Sequence, residues 1–213
     1  MRRALTIVLL IAFGTLTSVT ATADDVPPDK LVHQVADRIL DLIKKNRDDY
    51  STDHSKLYAM VDREVLPYFD FRVMSRSVLG RYWRRADDAQ RQRFVKEFRE
   101  LLVRTYATAL LKYTDQKIRY LPVFAKPDDK TVLVRTEVTQ SGSGNNIPMN
   151  YSFYHSKDGW KVYDVSIEGV SLVTTYRSTY SEKIRNQGLD ALIGGLEQDN
   201  RRAQAGGSAP AKK

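Results

Sequence analysis

Apolar positions along the chain change period twice. From Asp29 to about Tyr113 they recur every three or four residues, from Lys117 to Glu168 every two, and beyond Ser171 every three or four again. Helices, then strands, then helices predict an α+β fold rather than alternating β–α units. Asp29 can cap a first helix with the apolar face Leu31, Val32, Val35, Ile39, Leu42 and Ile43, closed by the charged run Lys44 to Asp49 as a solvated turn. Asp53 can cap a second, in which Leu57, Met60, Val61, Val65 and Leu66 share a face and Pro67 ends or kinks the helix. Asp70 can cap a third, short helix with Val73, Met74, Val78 and Leu79, stopped by Gly80. The aromatic corner Tyr68-Phe69-Asp70-Phe71 reads as either a packing hub or the rim of an apolar cavity.

Asp87 and Gln90 have capping-box spacing, and a long helix is expected from Asp88 to about Tyr113. Its stripe is Phe94, Phe98, Leu101, Leu102, Tyr106, Ala109, Leu110 and Tyr113. At 1.5 Å per residue it would be about 38 Å long, enough to cross a domain. Strands follow at Lys117–Val123, Thr131–Gln140, Ile147–Ser156 and Trp160–Glu168. Val132, Val134, Thr136 and Val138 face one way in the second, and Met149, Tyr151, Phe153 and His155 share a face of the third. Lys157-Asp158-Gly159 is a hairpin turn, so an antiparallel meander of at least four strands is expected.

The stretch Gly159 to Tyr180 joins the two patterns. Tyr163, Val165 and Ile167 alternate with Asp164, Ser166 and Glu168, Gly169 breaks the alternation, and Ser171 can cap a helix using Leu172, Val173, Tyr176 and Tyr180. A last amphipathic helix uses Leu189, Leu192, Ile193 and Leu196, weakened by Gly194-Gly195, and residues 201–213 read as a disordered basic tail.

The N-terminus has a different logic. Arg2-Arg3, the apolar run Ala4 to Leu16 and the small-residue site Ala21-Thr22-Ala23 form a secretory signal, cleaved after Ala23. Residues 24–200 then form one domain. No cysteine is present, which excludes a lipid anchor on Cys, thiol nucleophiles and disulfides. Of 34 Lys plus Arg and 26 Asp plus Glu, the signal removes Arg2 and Arg3, leaving a balance of +6. Four basic groups lie in the last thirteen residues, so the body lacks the concentrated footprint of a nucleic-acid binder. A mild positive balance suits transient approach to anionic head groups or to acidic protein surfaces.

Candidate chemistry is sparse. His33, His54 and His155 have no local partner at metal-binding spacing, so no metal site is expected. Asp164 and Glu168 share a strand face about 13 Å apart, too far for a glycosidase pair. Asp164 as a lone acid in a cleft remains the enzymatic alternative. Twelve Tyr, seven Phe and two Trp supply either an aromatic core or an apolar pocket ringed with tyrosine.

Several segments carry a resemblance: Val65-Leu66-Pro67-Tyr68-Phe69-Asp70, Val78-Leu79-Gly80-Arg81-Tyr82-Trp83, Gln90 to Phe98, and above all Tyr163 to Ser171 followed by Tyr176-Arg177. Together they resemble the periplasmic phospholipid-binding component of the bacterial maintenance-of-lipid-asymmetry system, also called the toluene-tolerance auxiliary family, over nearly the whole mature chain. The resemblance implies a curved, mostly antiparallel sheet packed against helices, of the nuclear-transport-factor-2 type, with an apolar cavity between the layers. It implies a monomeric periplasmic carrier, not an enzyme, with phospholipid as cargo and no cofactor. Its partners would be an inner-membrane ABC transporter complex with its periplasmic substrate-binding ring and an outer-membrane lipoprotein–porin complex; a protein-binding adaptor without cargo is the remaining alternative. On that reading the cavity wall candidates are Val78, Leu79, Phe98, Leu102, Tyr106, Leu110, Val132, Val134, Val138, Tyr151, Phe153, Tyr163, Val165, Ile167 and Val173, with Gly80 and Gly169 as hinge candidates.

Overall fold

The computed structural model describes residues 26–112, 117–126, 128–139 and 146–206; the expected signal segment, Tyr113, residues 140–145 and the end of the expected tail, 207–213, lie outside them. Helix α1 runs Pro28–Thr52, α2 His54–Glu64, α3 Phe71–Leu79 and α4 Asp88–Leu110. Short 3-10 helices occupy Leu66–Tyr68 and Gly80–Arg84. Strands β1 Ile118–Tyr120, β2 Thr131–Thr139, β3 Asn146–Ser156, β4 Gly159–Ile167 and β5 Val170–Ser171 follow, then α5 Leu172–Gln187 and α6 Leu189–Gly206.

Helix boundaries rest on short-range chemistry. The Asp53 carboxylate accepts from the Ser55 amide, and that of Asp70 from the Val73 amide. Both bonds of the Asp87–Gln90 capping box are present. Gly80 ends α3 at φ 53° and ψ −119°, a conformation that side chains resist. Two expectations at helix ends change. Asp29 lies inside the first turn of α1 and does not cap it, and the charged run Lys44 to Asp49 stays helical. The apolar face continues through that run, because Ile43 and Tyr50, two turns apart, are both buried against α2 and α4. Asn46 alone leaves helical geometry, its amide donating to the Leu42 carbonyl at 2.9 Å. At the other terminus α6 continues through residues 201–206, which were expected in the tail, because Asn200 is buried and holds α6 onto α4.

The sheet is an open, uncurled antiparallel meander in the order β1-β2-β3-β4-β5. Its inner face takes Val132, Val134, Thr136 and Val138 from β2, paired with Phe153, Tyr151, Met149 and Ile147 of β3. Between β3 and β4 the register shifts. Ser152 pairs with Asp164 while Phe153 pairs with Val162, so Tyr163 is an extra residue. This bulge reverses the alternation along β4: Val162, Val165 and Ile167 share the inner face, and Tyr163 instead meets Tyr154 edge-on. The expected face Tyr163-Val165-Ile167 is therefore wrong at its first member.

The outer edge of β4 is covered twice. Phe69 bridges Val162, with the Asp70 amide donating to the Val162 carbonyl at 2.9 Å. At the other end, Glu168 and Gly169 turn the chain at φ 52° and 80°, and β5 pairs back onto Ile167 and Ser166. Two positive φ values in a two-residue loop define a type I′ hairpin. The strand thus does not run straight into α5; a fifth, two-residue strand intervenes. Both devices leave little unpaired backbone on that edge.

Three apolar clusters fill the molecule. One joins α3, α4, α5 and α6 around Val78, Phe94, Phe98, Tyr180 and Ile193. A second lies between the sheet and the start of α1, and a third joins α1, α2 and the end of α4.

Candidate functional site

Between the second and third clusters the packing leaves a cavity of about 270 Å³. Its roof is the face of α1 carrying Leu31, Val32, Val35, Ala36, Ile39 and Leu40. Its floor is the sheet, through Ile118, Val138, Met149, Tyr151, Phe153, Val162, Val165 and Ile167. One side is the second half of α4, at Leu102, Val103, Tyr106, Ala107 and Leu110. The other is α2 and the turn after it, at Val61, Val65, Leu66 and Tyr68, continued by Phe69, Phe71 and Met74. Leu172, the first residue of α5, closes the corner.

Among these residues only Tyr68, Tyr106 and Tyr151 carry a side-chain oxygen, and none is charged. Tyr106 is held from behind by a hydrogen bond with Tyr176 of α5. Burial raises the Tyr106 phenol above its ordinary value. Burial, and then the neighbouring Tyr106, push that of Tyr176 up to about 12. Both phenols therefore stay neutral at any physiological pH. The lining thus holds no carboxylate, imidazole, amine or aliphatic hydroxyl. An apolar occupant would take this lining out of contact with water.

Of the wall residues expected from sequence, the structure brings Leu102, Tyr106, Leu110, Val138, Tyr151, Phe153, Val165 and Ile167 to the cavity. It places seven elsewhere. Val78 and Leu79 are fully enclosed between α3 and its helical neighbours. Phe98, one turn before Leu102, stacks on Phe94 at 5.6 Å and meets Tyr176 edge-on at 5.2 Å, so α4 passes from solid core to cavity wall within a turn. Val173 packs on the same helical core. Val132 and Val134 are buried in the cluster shared with Leu31 and Val32 but are not among the cavity's lining. Tyr163 faces outward because of the bulge. The roof itself was missed, although the apolar face of α1 was visible; nothing in its period distinguishes a roof from a core contact. The aromatic corner is both hub and rim: Phe69 and Phe71 pack on the helical core and line the cavity.

Asp164 is not in the lining. Its carboxylate accepts from the Ser171 hydroxyl at 2.5 Å and from the Val173 amide at 3.1 Å, and so anchors the start of α5. The Ser171 oxygen in turn accepts from the Thr174 amide at 3.0 Å. His33 stacks on Tyr120, and His155 meets Trp160 edge-on. Among the described residues no three His, Asp or Glu side chains converge in a way that would hold a metal. No described helix is long and apolar enough to cross a membrane.

Comparison with known proteins gives this geometry a context. The chain is 30% identical over 196 residues to the intermembrane phospholipid transport system binding protein MlaC of Haemophilus influenzae, covering 91% of this chain and 90% of that protein. It is 31% identical over 219 residues to the toluene tolerance protein ttg2D of Pseudomonas putida, covering 100% and 97%. A solved phospholipid-binding protein from Ralstonia solanacearum, in complex with a phospholipid, superposes with a TM-score of 0.76 at 32% identity, over 82% of this chain and 97% of that one. The family model described as MlaC protein matches residues 33–198, and the chain belongs to the MlaC family.

Proposed function

We propose that this protein is a soluble phospholipid carrier of the periplasm, with the cavity between α1 and the sheet as the acyl-chain site. The observation that carries this reading is the lining, in which an apolar volume meets only three phenol side chains. Each CH₂ removed from water contributes about 0.8 kcal/mol, so one sixteen-carbon chain contributes on the order of 12 kcal/mol. Nothing in the lining has a comparable affinity for a charged group, which leaves the head group at the mouth. The relatives named for phospholipid binding and transport support the same reading.

Residues 1–23 act here as an export signal and residues 24–200 as the core of the lipid-binding domain. Cargo would be exchanged with an inner-membrane ABC transporter complex and an outer-membrane lipoprotein–porin complex, as the family resemblance implies. Loading and release require the walls to part. Gly80 and Gly169 remain the hinge candidates, since both hold positive φ, Gly80 between α3 and the following 3-10 helix and Gly169 in the hairpin that leads from β4 through β5 to α5. An enzyme built on Asp164 is disfavoured because both oxygens of that carboxylate serve as helix-anchoring acceptors outside the cavity.

The test is solvent extraction and mass spectrometry of the protein purified from periplasm. Phospholipid in stoichiometric amount is expected. Protein that emerges folded and free of lipid would overturn the carrier reading and favour an adaptor.

A further inference from the structure

Residues 71–86 contain five arginines, Arg72, Arg76, Arg81, Arg84 and Arg85, and no carboxylate. All five are exposed, and none forms an ion pair with another described residue. Several arginines elsewhere are matched: Arg38 with Glu64, Arg93 with Glu197, Arg99 with Asp62 and Arg119 with Glu137. The segment is α3 and the 3-10 helix that follows. Arg72 and Arg76 stand one turn apart on the first, and Arg81 and Arg84 eclipse one another on the second.

Aromatic rings hold the group in place. The Arg72 guanidinium lies 5.5 Å from the centre of the Trp83 ring and that of Arg81 lies 5.0 Å from the Tyr82 ring. Across the α3–α5 contact, the Arg177 guanidinium stands beside Gly80, 3.1 Å from where a Cβ would be. The nearest acids in sequence are committed: Asp70 to Tyr154 and the α3 cap, Asp87 to the α4 cap, and Asp88 to Arg91.

Like charges gathered without carboxylate partners repel one another, and within the fold the ring contacts of Arg72 and Arg81 offset this only in part. Guanidinium forks match phosphate and carboxylate oxygens. A face of one sign spread over two helices suits a plane of phosphates with no fixed register. An acidic protein surface would be read by charges of both signs at fixed places. The same element also supplies Phe71 and Met74 to the cavity wall, which puts the arginines beside the apolar chamber.

We propose that the face formed by α3 and the following 3-10 helix docks on anionic lipid head groups, their phosphate oxygens accepting from Arg76, Arg81, Arg84 and their neighbours. This goes beyond the carrier reading, since it concerns the bilayer surface and not the cargo. Each basic residue at such a surface contributes about fivefold in affinity, so reversing three should weaken binding on the order of 100-fold or more.

The experiment is co-sedimentation of the exported full-length protein with vesicles of phosphatidylcholine, alone or mixed with phosphatidylglycerol. Three variants are compared with the parent: Arg76→Glu/Arg81→Glu/Arg84→Glu, the milder Arg76→Gln/Arg81→Gln/Arg84→Gln, and a charge-matched control, Lys126→Glu/Lys130→Glu/Lys157→Glu. Expected are salt-sensitive binding of the parent to the anionic vesicles only, its loss in both arginine variants, and binding within a few-fold of the parent in the lysine control. Equal losses in the glutamate variants would overturn the proposal, because net charge and not this face would then be responsible. Absence of parent binding to anionic vesicles would overturn it too, leaving an acidic protein face as the partner. Lipid retained in the cavity, extracted from the same preparations, should be unchanged, so failure of docking and failure of the carrier reading are separate results.

Discussion

The Ser171 hydroxyl donates to the Asp164 carboxylate at 2.5 Å, tying the inner strand β4 to the first turn of α5. Ser171→Ala removes both this bond and the cap on Thr174, and should cost about 1 kcal/mol. Asp164→Ala removes two accepted bonds and should cost about 1–3 kcal/mol. Because the pair shares one bond, urea titrations should show the double variant less destabilised than the sum of the singles. Strict additivity would mean that the contact contributes nothing.

The hairpin Glu168-Gly169 tests the backbone separately from packing. Glu168 holds φ 52°, where glutamate is strained, and Glu168→Gly or Glu168→Asn should raise the melting temperature, by roughly 0.5–1 kcal/mol of stability. Gly169→Ala should lower stability by about 1–2 kcal/mol. An added methyl there meets nothing within 4 Å, so the whole loss would come from φ.

Two tryptophans on the same sheet should behave differently. Ile167 lines the cavity and Ile167→Trp should fill it, leaving a folded protein with much less copurifying phospholipid. Val134 is 1% exposed beneath α1, and Val134→Trp should overpack the core by about 1–3 kcal/mol or more. Undiminished lipid in folded Ile167→Trp protein would remove that residue from the wall.

Buried phenols predict alkaline instability. The folded-state pKa of Tyr176 is raised to about 12, so its phenol stays protonated while that of the unfolded chain ionises near pH 10. The stabilisation is complete below pH 10 and is lost as pH rises toward 12. Tyr180, raised further by deeper burial, acts in the same direction. Denaturation midpoints should fall between pH 9 and pH 11, and Tyr176→Phe should flatten the slope.

Asn200 fastens the last helix. Its amide donates to the Glu97 carbonyl at 2.9 Å and to the Glu97 carboxylate at 2.6 Å, with both residues buried. Asn200→Ala should cost about 1–3 kcal/mol, and Asn200→Asp more, since it sets two carboxylates face to face. Thermal melts of the two variants check the order.

Much of this molecule is written locally. Capping by Asp53, Asp70, Asp87 and Ser171, the stop at Gly80 and the alternation of β2 depend on bonds or periods spanning a few residues, and all were legible in the chain. The family was legible for the same reason, through runs such as Tyr163 to Ser171. Tertiary structure decided which apolar residues face a void. Phe98 and Leu102 sit one turn apart on one stripe with the same hydrophobic signal, yet one is buried in aromatic contacts and the other borders the cavity. Val134 and Val138 alternate identically, but only the second borders the cavity. Burial against protein and exposure to an apolar chamber both remove a side chain from water, so the sequence pattern cannot separate them. The bulge at Tyr163 likewise depends on how β3 meets β4, a pairing that no period within either strand contains.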